Sequence, residues 1–435
     1  AFPPPQTLDQ GVLVLEVMEG CLGNVCIEGE RYYSERFIQS YFARFKGKGL
    51  RYDDFMRALL LLNENSDLLA GAIFMKGQEV GTADVLIRVD DHWPKHLYFN
   101  ANNYGKDITT NFRLGGRFDA GSLFTYGDKL SIAEVVGFPV NALYFTDVVY
   151  RVPVSRNGDF LELSYLYSKF KIEELLSLRL KGVSNIGTLK FTHALTRSTS
   201  QSIDLFSYFD VKQFQNYTLD SLSSFDKLRV LTMGSLIDRF ASKRGRDYLN
   251  VRMGVGIPNF LGAMSAVSDE CSRRGAGGLF VKFNADYDRL QALYKDWILT
   301  FHGSGQWSPY KLAVPEQIYI GGADTVRGFP LAVALGDSGY YGNVEFRFPP
   351  PFLANQRFFR AKKKVREVLQ LVGFLDSGGT FFYGGSNTFL WGSGFGLRLR
   401  GLWSLGFSLD VGFPLNHKNL SKGTMFYIKV TGQPF

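Results

Sequence analysis

The sequence predicts a transmembrane antiparallel β-barrel of about sixteen strands, preceded by a small α+β domain. Three observations predict it. From about Lys95 to Phe435, apolar and polar residues alternate with a period of two. The chain holds 39 Phe, 22 Tyr and 47 Gly among its 435 residues, the types a barrel uses in its interfacial girdles and tight turns. No window offers the ~18 uncharged apolar residues of a spanning helix, so a membrane protein of this composition must cross with strands that close on themselves.

With 45% apolar and 21% charged residues, the chain has the composition of a folded protein. The net charge of +8 comes from basic residues spread along the chain rather than gathered on one face, so no nucleic-acid partner is expected. His92, His96, His193, His302 and His417 are scattered, and none has metal-ligand spacing with another His, Cys or carboxylate. Pro94 argues against a helix that would bring His92 and His96 together. No G-x-S-x-G elbow occurs. The expectation is a non-enzyme, without metal or cofactor.

Residues 1–8, with Ala1-Phe2-Pro3-Pro4-Pro5, read as a linker, so the chain is expected to be a mature form or a fragment. Residues 9–92 read as the α+β domain. Gly11 to Val17 reads as a strand. Phe37, Ile38, Tyr41, Phe42 and Phe45 have helical spacing behind Ser34, an N-cap residue. A second helix begins near Asp53, carries Phe55, Leu59 and Leu62 on one face, and ends at Asn63. Strands at Ala70–Phe74 and Ala83–Val89 complete a β-α-α-β-β order that buries one sheet face under two helices. Cys21 and Cys26 flank Leu22-Gly23-Asn24-Val25; with a turn at Gly23-Asn24 they face each other as a candidate disulfide, and otherwise they are two half-buried thiols.

Residues 93–435 read as the barrel. Leu405, Phe407, Leu409, Val411 and Phe413 alternate with Gly406, Ser408, Asp410 and Gly412, and similar runs surround Phe112, Phe395 and Phe426. The strands look ~9–12 residues long, above the ~5–6 of soluble sheets. If the apolar parity meets lipid, then Arg113, Arg117, Glu345, Arg347, Arg398, Arg400 and Lys429 line the lumen.

One segment breaks the alternation. Gly321-Gly322-Ala323-Asp324-Thr325-Val326-Arg327-Gly328-Phe329, followed by Gly336-Asp337-Ser338-Gly339-Tyr340, places a long glycine-rich loop between strands. Long loops in compact structures are functional or disordered, and an Arg that leaves water needs a partner.

This segment resembles the VRG[F/Y] loop motif of the two-partner-secretion transporter family (TpsB), through Thr325-Val326-Arg327-Gly328-Phe329. The family's second motif, Phe-x-Asp-x-Gly, is matched by Phe374-Leu375-Asp376-Ser377-Gly378. Gly11-Val12-Leu13, Glu19-Gly20 and the run Arg57 to Asn63 are similar to its second POTRA module, a periplasmic polypeptide-binding unit. On this resemblance these residues are expected to start at the linker to the second module, the family's upstream POTRA module and N-terminal plug helix being features that this stretch is not expected to contain.

The resemblance implies a Gram-negative outer-membrane barrel that secretes one partner exoprotein, recognised by its N-terminal secretion domain, with the POTRA domain capturing substrate in the periplasm. It implies a monomer in outer-membrane lipid, inserted by the barrel-assembly machinery. It also implies a loop folded back into the barrel, with Arg327 on the wall at Asp376. By parity Asp376 and Phe374 point inward, where the guanidinium meets a carboxylate and stacks on a ring. Val326, Gly328 and Phe329 belong to the same contact, and Gly328 lets backbone approach the wall. Phe37, Ile38, Tyr41 and Phe42, on the first helix and beside it, are candidate substrate-binding residues. Two other readings stand beside secretion: a barrel-assembly insertase of the same superfamily, and a passive porin.

Overall fold

The structure, a computed structural model, describes residues 20–433 except 107–108, 141, 176–177, 242–243, 359–362, 403 and 422. The linker and the expected strand at Gly11–Val17 lie outside the described residues.

The N-terminal unit is built from strand β1 (Cys21–Glu28), helices α1 (Glu35–Ser40) and α2 (Tyr52–Leu62), and strands β2 (Leu68–Lys76) and β3 (Thr82–Asp91). Ser34 starts α1 by accepting the Phe37 N–H on its Oγ at 3.3 Å. On α2, Asp53 and Asp54 sit in the first turn, where the helix dipole favours negative charge. Its apolar face buries Phe55, Ala58, Leu59, Leu61 and Leu62. Asn63 closes it, and the Asn63 amide donates to the Ala70 carbonyl while its Oδ1 accepts the Ala70 N–H. The sheet order is β1-β3-β2, with β1 parallel and β2 antiparallel to β3. Leu22, Ile38, Phe42, Phe55, Leu62, Val85 and Ile87 form its core.

The expected turn at Gly23-Asn24 does not form. Cys21 and Cys26 lie on one strand, paired with Thr82 and Leu86 of β3, and the register shifts between Leu22 and Val25. A local bulge takes the place of the turn: the Asn24 N–H donates to Asp84 Oδ1, and a side chain at Gly23 would strike that same oxygen. Five residues along a strand span ~16 Å, far beyond the ~7 Å that a disulfide tolerates. The Cys21–Cys26 disulfide is therefore corrected to two thiols held apart by the sheet.

The barrel begins with β4 (Lys95–Asn102), β5 (Phe112–Gly121), β6 (Lys129–Phe138) and β7 (Leu143–Pro153). Four long strands follow: β8 (Asp159–Leu175), β9 (Leu178–Arg197), β10 (Gln201–Thr218) and β11 (Ser221–Ala241). Next come β12 (Gly245–Gly256), β13 (Phe280–Ala292) and β14 (Ile298–Trp307). A small hairpin, β15 (Ile318–Ile320) with β16 (Ala334–Gly336), belongs to the loop after β14 and is not part of the wall. The wall resumes at β17 (Ser338–Phe348) and, after the short helix α3 (Val365–Val368), continues through β18 (Leu369–Phe381), β19 (Thr388–Leu402), β20 (Leu405–Pro414) and β21 (Met425–Gly432). The sixteen wall strands form one closed antiparallel barrel in which β21 pairs with β4. Closure leaves no edge, which is what a sheet in lipid requires.

Strand length departs from expectation. β8 to β11 run 17, 20, 18 and 21 residues, well past the ~9–11 needed to cross a bilayer. Their far ends rise above the rest of the wall, where Leu228 and Val230 are buried with Met264, Cys271, Leu312 and Ala313 from the loops that follow β12 and β14.

Candidate functional site

The loop between β14 and β17 turns back into the barrel. Its descent is set by glycine: Gly321, Gly322 and Gly328 have φ of 101°, 107° and 93°, values that side-chain-bearing residues rarely adopt. The tip closes on itself through the Gly322 N–H donating to the Val326 carbonyl at 3.2 Å. Ile320, Val326 and Phe329 are fully buried with Leu390 of β19. The tip is thus a packed plug of apolar side chains with one cation in its middle.

That cation, Arg327, reaches the wall. Its Nε is 2.7 Å from Asp376 Oδ2 and its Nη2 is 2.8 Å from Asp376 Oδ1, a two-pronged contact. The backbone N–H of Arg327 donates to the same carboxylate at 3.0 Å. The guanidinium carbon lies 3.4 Å from the centre of the Phe374 ring. Alternation on β18 explains why both residues are available: Leu375 is exposed on the outer face, while Phe374 and Asp376 are buried on the inner one.

The cluster extends beyond this pair. Arg327 Nη1 donates to Glu345 Oε1 at 2.6 Å. Arg347 makes two bonds to Glu345 Oε2, at 2.9 and 2.6 Å. Arg398 Nη1 and Nη2 donate to Asp410 at 2.6 and 3.0 Å, and Nη2 also lies 3.2 Å from Glu345 Oε1. Arg327, Arg347 and Arg398 therefore balance Glu345, Asp376 and Asp410. Buried charges persist only when paired and hydrogen-bonded, and these are.

The wall makes room for the loop with glycine. A Cβ at Gly392 would stand 1.9 Å from the Arg327 carbonyl oxygen, and one at Gly412 would stand 2.7 Å from the Gly328 nitrogen. Tyr427 completes the seat: its hydroxyl accepts the Gly328 N–H and donates to the Phe329 carbonyl. Asp410, Tyr427, Gly392 and Gly412 escape a reading built on motifs. Their signal was parity, because all four share the inward face of β19–β21 with Arg398.

A second anchor holds the base of the loop. The buried Glu316 lies 2.9 Å from Lys212 Nζ on β10 and 2.8 Å from Lys282 Nζ on β13. Arg273, from the loop after β12, pairs with Asp337 and stacks on Phe382. The loop is therefore fixed near its tip to β17, β18 and β20, and at its base to β10 and β13.

The other lumen residues fall on the expected face without joining the clasp. Arg113, Arg117 and Lys429 line a cavity of about 620 Å³ beside the exposed Asp324 of the tip. Arg117 makes two bonds to Asp119. Arg400 lines a neighbouring cavity of about 300 Å³ that also meets Arg327 and Lys429.

The proposed substrate-binding set is corrected. Phe37, Ile38, Tyr41 and Phe42 are 4%, 0%, 5% and 1% exposed, so none offers a surface to a polypeptide. Ile38 and Phe42 fill the core of the N-terminal unit. Phe37 and Tyr41 are also covered by two barrel turns: Arg156 lies over both rings, at 4.5 and 5.3 Å, and Tyr126 packs on Phe37. Helical spacing marked them as a face; it could not say that the barrel itself covers part of that face. The same docking surface includes Arg57 on the Ala194 and Leu195 carbonyls, an Arg197–Glu64 pair, and His96 Nε2 at 2.7 Å from Asp67 Oδ1.

Comparisons with known proteins agree with this architecture. The chain is 21% identical over 360 residues to the heme/hemopexin transporter protein HuxB of Haemophilus influenzae (strain 86-028NP), an alignment covering 80% of this chain and 62% of that protein. It is 22% identical over 444 residues to the outer membrane transporter CdiB of Dickeya dadantii (strain 3937), covering 96% and 73%. The chain thus spans about three fifths of the length of the curated relatives it matches first. Among solved structures, CdiB from Escherichia coli superposes with a TM-score of 0.84 at 21% identity, over 99% of this chain and 80% of that one. BamA from Haemophilus ducreyi lacking POTRA domains 1–3 superposes at 0.62 and 10% identity, over 95% and 84%. Both share the fold. The family model for the haemolysin secretion/activation protein ShlB/FhaC/HecB matches residues 81–399, from the last strand of the N-terminal sheet to the clasp strands. The chain belongs to this family of Gram-negative outer-membrane barrels.

Proposed function

We propose that this chain is the transporter of a two-partner secretion pair, which passes an unfolded exoprotein through its barrel to the cell surface. The observation that carries the reading is the re-entrant loop: a plug seated inside a lipid-embedded cylinder by a buried, charge-balanced clasp. Residues 9–92 serve as the periplasmic domain and residues 93–435 as the conduit. The clasp of Arg327, Asp376 and Phe374, with Val326, Gly328 and Phe329, holds the loop in its resting position.

Substrate capture falls to the sheet edge in place of the buried Phe37, Ile38, Tyr41 and Phe42. In the order β1-β3-β2, β2 is an edge strand, and Leu69, Ile73, Phe74 and Met75 along it are exposed. Main-chain pairing along such an edge accepts an extended chain with little regard to its sequence. The exoprotein, its secretion domain and passage through the barrel are the partner and the reaction of this proposal. No nucleotide or metal enters it.

The test is export by Arg327→Ala alongside its cognate exoprotein. Barrel assembly is followed by heat-modifiable electrophoretic mobility and surface labelling, and export by exoprotein in the culture medium. The expected result is an assembled, surface-exposed barrel with strongly reduced export. Normal export by that variant would remove the role given to the loop. A general fall in other outer-membrane proteins on depletion of the chain would favour the insertase reading.

A further inference from the structure

The outer wall carries a groove that neither the clasp nor the lumen uses. Ser235, Val251, Ala285 and Gly305 form one outward cross-strand row on β11–β14, each paired with the next. The neighbouring row, one outward position toward the far end, is large: Met233, Met253, Phe283 and Trp307, all exposed. Small residues beside large ones leave a hollow of about 740 Å³ on the lipid-facing wall, to which Leu205 also contributes.

The same face changes character toward the periplasm. Four residues from the small row on each strand, Arg239, Asp247 and Arg289 stand side by side, paired across β11, β12 and β13. Arg289 Nη1 donates to Asp247 Oδ1 at 2.6 Å, and the Tyr287 hydroxyl donates to the same oxygen at 2.8 Å. Arg289 Nη2 donates to Gln291 at 2.6 Å. Two cations against one carboxylate leave the row net positive, and Arg239 is exposed.

The depth of this row fits a headgroup. Leu279, just before β13 at the far end of this face, is exposed and apolar. From there to Arg289 is ten residues of nearly extended chain, which at ~3.3 Å per residue and ~40° of tilt span ~25 Å, the height of a barrel's apolar band. The cationic row therefore lies where the periplasmic leaflet turns from acyl chain to phosphate. From the row to the groove is four residues, ~13 Å along a strand, which fits within the ~15 Å hydrocarbon depth of one leaflet.

We propose that this face binds an anionic glycerophospholipid of the periplasmic leaflet, with its phosphate over Arg239 and Arg289 and one acyl chain in the groove floored by Ser235, Ala285 and Gly305. Charge complementarity selects an anionic headgroup, and the continuous apolar path from row to hollow selects a lipid over a free anion. The site is independent of the loop clasp and of the secretion reading.

The experiment incubates the purified full chain in mild detergent with equal amounts of phosphatidylglycerol and phosphatidylcholine of identical acyl chains and counts bound lipid by native mass spectrometry. The wild type should retain phosphatidylglycerol with several-fold preference. Arg239→Gln combined with Arg289→Gln should abolish the preference while leaving heat-modifiable mobility unchanged. Ala285→Leu combined with Gly305→Leu should lower retention of both lipids. No preference in the wild type, or the same preference in the double arginine variant, would overturn the proposal. So would groove substitutions that change oligomeric state but not lipid retention, since the hollow would then be a contact between copies.

Discussion

Arg327 Nη1 lies 2.6 Å from Glu345 Oε1, on the strand beside the one that carries Asp376. One guanidinium thus ties the loop to two adjacent strands at once. The two-pronged contact to Asp376 already orients the guanidinium; the second carboxylate ties it to the neighbouring strand as well.

Removing one member of this network should cost more than removing a matched pair. Arg327→Ala strands Asp376 beneath the loop, a change of ~3–5 kcal/mol when a buried pair is broken. Arg327→Ala with Asp376→Ala should cost clearly less than the sum of the two single changes. Arg327→Lys should recover only part of the loss, because an ammonium has no planar fork and stacks less well on Phe374. Denaturant unfolding of the folded barrel in detergent measures all four variants. Additive losses would show that the groups do not act together.

The wall glycines make a prediction about space rather than charge. Gly392→Ala puts a methyl group 1.9 Å from the Arg327 carbonyl oxygen. The loop must shift although every clasp residue is intact. Gly373→Ala, on the same wall with nothing within 4 Å of its Cβ, is the control. Protease sensitivity of the loop and single-channel conductance should rise in the first variant and stay at wild-type level in the second.

Acid should loosen the N-terminal unit through Asp91. Burial by itself would raise this carboxyl's pKa, but the backbone N–H groups of Arg31, Tyr32 and Tyr33 all donate to it, and the net shift is downward. A carboxylate with a depressed folded pKa contributes stability above its unfolded pKa of ~3.9 and loses that contribution as pH falls through the folded value. Asp91→Asn should therefore lower stability at neutral pH and flatten the fall below about pH 4. Unfolding of the α+β unit in the full chain, followed by hydrogen exchange across that range, checks both parts.

Arg156 should set how firmly the N-terminal unit sits on the barrel. It stacks on Phe37 and Tyr41 and donates from Nε to Ser40 Oγ at 3.0 Å. Arg156→Ala removes contacts worth ~1–2 kcal/mol while leaving every core side chain itself in place. Spin-label distances between α2 and the barrel rim should broaden. An unchanged distribution would mean that the Arg57, Glu64, Tyr126 and His96 contacts hold the unit without Arg156.

Helix α2 was legible because its apolar spacing agreed with its closing residue Asn63; of the first helix only the start at Ser34 was, since α1 stops at Ser40 and a separate 3-10 turn at Ala43–Phe45 carries the spacing on to Phe45. The region around Cys21 was not legible. Gly23-Asn24 has the composition of a turn, but pairing of β1 with β3 turned it into a bulge. Local chemistry allows both outcomes, and a partner strand more than fifty residues away chose between them. The burial of Phe37 and Tyr41 was hidden for a related reason, since Tyr126 and Arg156 are distant in sequence and nothing local couples them.

The sequence by itself carried the inward and outward faces of the strands, because alternation is a period-two property that each segment holds on its own; the barrel also needed the strand lengths and aromatic content, and the pairing of Arg327 with Asp376 came from the resemblance of their motifs to a known family. Only the tertiary structure decided that Glu345, Arg398 and Asp410 join that pair, that Gly392 and Gly412 make its seat, and that a base clasp forms at Glu316. Those depend on cross-strand register and on the path of a re-entrant loop. Both are set by closure of the whole sheet, a long-range condition that no single stretch of residues encodes.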